Sequence, residues 1–184
     1  MSREKDELRR ELRGSPPPSR EVVRQIVSSV MGMPEWFDAD ICALFAPHRH
    51  EPDIEALFDE NGKVRLVPRV IGERLDLVAI TTRPGGEGWR RGAFGLWEPV
   101  GEPARETPRF VLVPGVAFGR DGSRLGRGGG FYDRLLSDLP HAFRCGVCTD
   151  ERLFDAVPTE PHDASVDAIV TPSCVIRTGR PGQT

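Results

Sequence analysis

Residues 110–136 read FVLVPGVAFGRDGSRLGRGGGFYDRLL. The stretch opens on four apolar residues, Phe110-Val111-Leu112-Val113, which predict a buried strand. A loop dense in glycine and arginine follows. The segment closes on Phe131-Tyr132-Asp133-Arg134-Leu135-Leu136, which reads as the start of a helix. Strand, glycine-rich loop and helix N-terminus together make a phosphate cradle. The first N–H groups of a helix lack intrahelical partners, and the helix dipole puts partial positive charge at the same end. Glycine lets an anion approach the backbone, and Arg124 and Arg127 add full charges that grip phosphate oxygens in pairs. Asp133 falls in the first helical turn. A carboxylate there serves the helix dipole or, beside phosphates, holds Mg²⁺.

Outward from this stretch, apolar runs alternate with helical patterns or long crossovers. This predicts one α/β domain over residues 1–184, an open twisted sheet, mainly parallel, flanked by helices. N-terminal to the stretch, residues 3–13 read as a charged helix with Leu8 and Leu12 on one edge and Lys5 and Arg9 four apart on one face. That pair is either a solvated face or two cations aimed at an anion. Gly14-Ser15-Pro16-Pro17-Pro18 breaks the helix, and Ser19 is the expected N-cap of a second one. Its stripe is Val22, Val23, Ile26, Val27 and Val30. Residues 40–46 predict a strand and residues 53–58 a helix. Between them His48, His50 and Glu51 lie beyond a strand end, where ligands of α/β sheets sit, and Glu51 is the residue of interest. Strands are expected over residues 64–68 and 75–80, and residues 81–91, with three glycines and a proline, as a loop. Residues 92–99, GAFGLWEP, supply plain core or an aromatic platform for a flat heterocycle.

Beyond the stretch, residues 143–148 predict a buried strand holding Cys145 and Cys148. Their CxxC spacing is read as core, because Cys42 and Cys174 are isolated and offer no second pair for a metal. Residues 152–157 read as a short helix, residues 166–170 as the last strand, and residues 177–184 as a frayed tail.

The 184 residues are 38% hydrophobic and 29% charged, with a formal net charge of -3. That balance excludes a general nucleic-acid binder, and no apolar run is long enough for a membrane span. The charged N-terminus lacks the apolar segment of a signal peptide, so the expected compartment is the cytosol. A monomer is expected. The loop is not a Walker A motif, because it lacks Gly-Lys-Ser/Thr, and its glycine spacing is wrong for a dinucleotide fold.

Pro114-Gly115-Val116-Ala117-Phe118 and Arg124-Leu125-Gly126-Arg127-Gly128-Gly129-Gly130-Phe131-Tyr132-Asp133 resemble the signature of the 5-formyltetrahydrofolate cyclo-ligase family. Lys5 with Arg9, Glu51, Val67-Pro68-Arg69, Gly95-Leu96-Trp97-Glu98-Pro99, residues 157–163 and residues 166–172 extend the resemblance over nearly the whole chain. It implies ATP-dependent cyclisation of 5-formyltetrahydrofolate to 5,10-methenyltetrahydrofolate, with ADP and phosphate released through a phosphorylated formyl intermediate. It implies that Arg124, Leu125, Gly126, Arg127, Gly128, Gly129, Gly130, Phe131 and Tyr132 hold ATP, with Lys5 and Arg9 reaching in. Arg127 would stabilise charge on the moving phosphoryl group. Glu51 would bond the pterin, with Phe94, Trp97 and Tyr132 packing on it, and Asp133 and Asp163 would carry Mg²⁺. The chain departs from the family at Ile54, where Thr is common, and at Phe131, where Tyr is usual. Ile54 leaves room for a kinase-like enzyme on another heterocycle. A relative that binds nucleotide or folate without turnover is the other alternative.

Overall fold

The computed structural model describes residues 3–48, 50–60, 62–92 and 95–179. Four α-helices are described: α1 (Arg3–Leu12), α2 (Arg20–Met31), α3 (Pro34–Phe37) and α4 (Phe131–Asp138). The first strands are β1 (Ile41–Ala43), β2 (Val64–Ile71), β3 (Arg74–Ile80), β4 (Trp89–Arg91), β5 (Trp97–Pro99) and β6 (Phe110–Val113). They continue as β7 (Ala117–Gly119), β8 (Arg124–Leu125), β9 (Phe143–Val147), β10 (Leu153–Phe154), β11 (Ala168–Val170) and β12 (Val175–Arg177).

The main sheet has the order β12-β11-β9-β6-β1-β2-β3. Its five inner strands run parallel, and the antiparallel pairs β11–β12 and β2–β3 close its two edges. The mainly parallel sheet expected from the sequence is thus observed. β6 lies at the centre because all four of its residues are apolar and can be buried on both faces. Phe110 and Leu112 face the core under α2 and α3, with Ile26, Val30 and Trp36. Val111 and Val113 face the core under α4, with Leu135 and Leu136. Trp36 meets Phe110 edge to face at 5.4 Å between ring centroids. Ser19 caps α2 as expected, accepting from the Val22 N–H at 3.3 Å.

Several short elements differ from their sequence expectations. The strand expected over residues 40–46 is three residues, and the helix over 53–58 is a 3-10 turn, Glu55–Asp59. β2 runs on past residue 68 to Ile71, and the strand expected over residues 166–170 starts at Ala168. The expected loop over residues 81–91 ends in β4, which pairs antiparallel with β5. The short helix expected over 152–157 is instead the end of a 3-10 turn, Asp150–Arg152, followed by β10. β10 pairs with β7, and β7 with β8, in a second sheet. Arg177 closes β12 rather than opening a frayed tail, and residues 180–184 lie outside the described residues. Most of these segments are two or three residues long, too short for a hydrophobic period.

α1 covers the small sheet. Leu8 and Leu12 pack on Ala117, Leu125 and Val157. Among the described residues, no helix is long and apolar enough to cross a membrane.

Candidate active site

A cavity of about 610 Å³ opens where the chain leaves β1 and β6, beside α1 and the start of α4. Every site residue expected from the sequence lines it, except Phe94, which lies outside the described residues. Lys5, Arg9, Glu51, Trp97, the ten residues 124–133 and Asp163 all contribute. The glycine loop follows β8 and leads into α4. Gly130 caps α4 at φ 65°, a left-handed conformation that favours glycine. A Cβ on Gly126 would approach Arg124 Nη1 to 2.8 Å, so glycine there leaves room for that guanidinium.

Each cation of this wall is held by a carboxylate. Lys5 is buried, 3% exposed. Its Nζ donates to Glu160 Oε2 at 2.7 Å and to Asp163 Oδ2. Burial alone would pull the Lys5 pKa down, but the hydrogen bonds and charges of Asp163 and Glu160 outweigh it and hold the pKa above its usual value. Arg9 donates to the Gly126 carbonyl and to Asp6, both at 2.8 Å. Arg124, also buried, donates to Asp133 Oδ1 at 2.5 Å. Arg127 donates from Nη2 to Glu51 Oε1 at 2.9 Å and keeps its side chain half exposed, the freest of the set. Glu51 in turn accepts the His48 N–H at 2.9 Å on its other oxygen. His48 therefore enters the site through its backbone as well as by lining the cavity; the His50 ring lies tilted beside it, centroids 5.5 Å apart.

The opposite wall is apolar. Phe45, Pro68, Val70, Leu75 and Leu96 line it with Trp97. Arg91 lies over the Trp97 ring, 4.0 Å from its centroid. The Tyr132 hydroxyl is buried and has no hydrogen-bond partner among the described residues, and burial first, then Glu51, pushes its pKa up. The phenol therefore stays protonated.

Sequence reasoning missed Glu160 and Glu98 as members of the site. Glu160 stands three residues before Asp163 in the quoted segment 157–163, so its place was available. Glu98 is buried, and a Cβ on Gly92 would fall 1.9 Å from its Cδ, so Gly92 makes its space. Glu160, His162 and Asp163 offer ligand atoms within 4.8 Å of one another. Carboxylate oxygens are the kind of ligand that Mg²⁺ takes. Asp133 spends Oδ1 on Arg124 and on the Ala164 N–H at 3.0 Å, leaving Oδ2.

Two readings of the sequence are settled by burial. Cys145 and Cys148 are free, buried thiols, the latter pushed up to about 12 by burial. Neither is a ready thiolate. Ile54 is 0% exposed within the α2 core. Its departure from the family pattern lies in packing, away from the cavity wall.

Comparison with known proteins gives the family. The protein-family model for the 5-formyltetrahydrofolate cyclo-ligase family matches residues 1–172. A 5-formyltetrahydrofolate cyclo-ligase of Mycolicibacterium smegmatis is 37% identical over 144 residues, covering 72% of this chain and 73% of that protein. The solution structure of Aquifex aeolicus 5,10-methenyltetrahydrofolate synthetase superposes with a TM-score of 0.83 at 33% identity, over 98% of this chain and 95% of the other. The Mycoplasma pneumoniae 5,10-methenyltetrahydrofolate synthetase shares the fold, with a TM-score of 0.69 at 20% identity over 91% of this chain and 98% of the other. The chain belongs to the 5-formyltetrahydrofolate cyclo-ligase family of ligases.

Proposed function

We propose that the cavity holds ATP at its cationic end and 5-formyltetrahydrofolate against its apolar wall, and closes the folate ring. The observation that carries this reading is one continuous cavity joining a glycine loop and four cations to an aromatic and aliphatic face.

The formyl oxygen on N5 is a poor leaving group until it is phosphorylated. That oxygen attacks the γ-phosphorus of ATP, the bond to the bridging oxygen breaks, and ADP leaves. The N5 lone pair delocalises into the formyl carbon to give an iminium phosphate. N10 then attacks that carbon and loses its proton, and phosphate departs with the C–O electron pair, leaving the methenyl bridge. Little covalent chemistry falls to the protein, so positioning and charge stabilisation dominate.

Lys5, Arg9 and Arg124 hold the phosphates with the N–H groups of residues 126–132. Arg127, being half exposed, is free to swing onto the transferring phosphoryl group. Glu51 has lone pairs left for pterin N–H groups, and Trp97 and Tyr132 pack on the ring. Asp133 and Asp163 would hold Mg²⁺, which would neutralise phosphate charge.

The test mixes the folded protein with MgATP and 5-formyltetrahydrofolate at mildly acidic pH and follows near-ultraviolet absorbance of the methenyl product. An ATP-dependent rise is expected, and its absence overturns the proposal. Arg127→Ala should lower turnover by about 10²–10³-fold. Its unfolding midpoint should stay near wild type. Unchanged turnover would remove Arg127 from the mechanism.

A further inference from the structure

Arg152 plays no part in the chemistry above and does not line the cavity, yet it is a buried charge, 7% exposed. It ends the 3-10 turn Asp150–Arg152. Its Nη1 donates to the Val116 carbonyl at 2.8 Å, and its Nη2 to the Leu12 carbonyl at 3.0 Å. Both acceptors are backbone atoms. Burial disfavours its charge and, though nearby Glu51 partly offsets this, holds its pKa below the usual value.

The two carbonyls belong to different parts of the site. Leu12 is the last residue of α1, where carbonyls lack intrahelical partners and carry the negative end of the dipole. A cation is favoured there. Val116 lies between β6 and β7, and its N–H donates to the Leu125 carbonyl at 2.7 Å, one residue before Gly126. One planar guanidinium therefore ties the end of α1 to the chain that sets the start of the glycine loop. The fork geometry fixes both directions at once.

α1 needs such a tie. Lys5 is its one buried residue, and Leu8 and Leu12 are only partly buried against the small apolar cluster. Gly14-Ser15-Pro16-Pro17-Pro18, which follows, supplies no large apolar side chain to hold it.

We propose that Arg152 is a positioning residue: it sets where α1 sits against the glycine loop and thereby how tightly Lys5 and Arg9 hold nucleotide phosphates. The second half rests on the phosphate-binding role given above; the first does not. Thereby the two halves are tested apart, in the full-length chain, with Arg152→Gln and Arg152→Lys.

Hydrogen exchange of the α1 amides without nucleotide tests the tie itself. Protection of residues 3–12 should fall about tenfold in Arg152→Gln, the scale of one charge-assisted hydrogen bond, and recover in part in Arg152→Lys. Unchanged protection overturns the proposal. Calorimetry with ADP should then show affinity about tenfold weaker in Arg152→Gln, again partly restored by lysine, while kcat at saturating ATP falls much less. In a Lys5→Met background, Arg152→Gln should add little further loss of ADP affinity. Full additivity would mean that Arg152 acts through the general fold, and would equally overturn the proposal. If Arg152→Gln fails to fold, Arg152→Lys carries the same three measurements. A wild-type chain that binds no ADP would sink the nucleotide reading and leave the exchange result standing.

Discussion

α1 and α2 are neighbours in the chain, and both carry an apolar stripe, but different forces hold them. α2 buries Ile26, Val27 and Val30 against Trp36, Phe110 and the main sheet. α1 buries only Lys5, and it is placed by ion pairs to Glu160 and Asp163, by Arg9 on Gly126, and by Arg152 on Leu12. A helix held by apolar area stays put under any condition that keeps the core. A helix held by charges depends on how those charges are paired and protonated, and on the proposed function they are the same groups that a phosphate would recruit.

The strongest way to break this contrast is Ile26→Ala in α2. Ile26 is 0% exposed, so the cavity left should lower global stability by about 2–5 kcal/mol. Denaturant unfolding measures this, and the folded fraction should bind nucleotide as wild type does. A change near zero would mean that α2 is no better anchored than α1.

Lys5→Met in α1 should do the reverse. Loss of the ammonium should weaken nucleotide binding by roughly tenfold to a hundredfold, the scale of a charged hydrogen bond. The unfolding midpoint should barely move, because the methionine stem keeps most of the packing. A large drop in midpoint with intact affinity would place α1 among the core helices.

The smallest expected effect is on pH. Asp163 titrates below its ordinary 3.8: burial raises it, but the Lys5 hydrogen bond and the Glu160 N–H more than offset this. Glu160 titrates below its ordinary 4.5, chiefly through the Lys5 hydrogen bond. A depressed folded pKa gives stabilisation that is present above the unfolded value and is lost as pH falls through the folded one. Lys5, raised above its ordinary 10.5, contributes fully below that value and loses its part only as pH rises through the folded pKa. Exchange protection of α1 should therefore be flat between these limits and fall outside them, first on the acid side below about pH 4. α2 should show no such step. Parallel loss in both helices would remove the distinction.

The sequence made the site legible where one segment carries both the chemistry and its own scaffold. Residues 110–136 supply the central strand and α4 where the sequence places them, although the loop between them also carries β7 and β8. Glu51 stands out by its place beyond a strand end, but the roles of Lys5 and Asp163 come only through the family resemblance, because nothing local says that an N-terminal lysine meets a carboxylate at position 163. The pairings stayed hidden for the same reason. Arg127 with Glu51 spans 76 positions, and no periodicity links them. β7, β8 and β10 are two- and three-residue strands whose existence depends on each other. Arg152 was read only as part of a short helix; its importance lies in which carbonyls lie within reach.

The Lys5 contacts also fix an order in time. Lys5 and Glu160 are separated by 155 positions, and Lys5 and Asp163 by 158. At translation rates of about 5–20 residues per second, the lysine waits roughly 8–30 s for its partners to be made. α1 is thus made well before the partners that fix it. A chain halted before residue 160 lacks both carboxylates that hold Lys5.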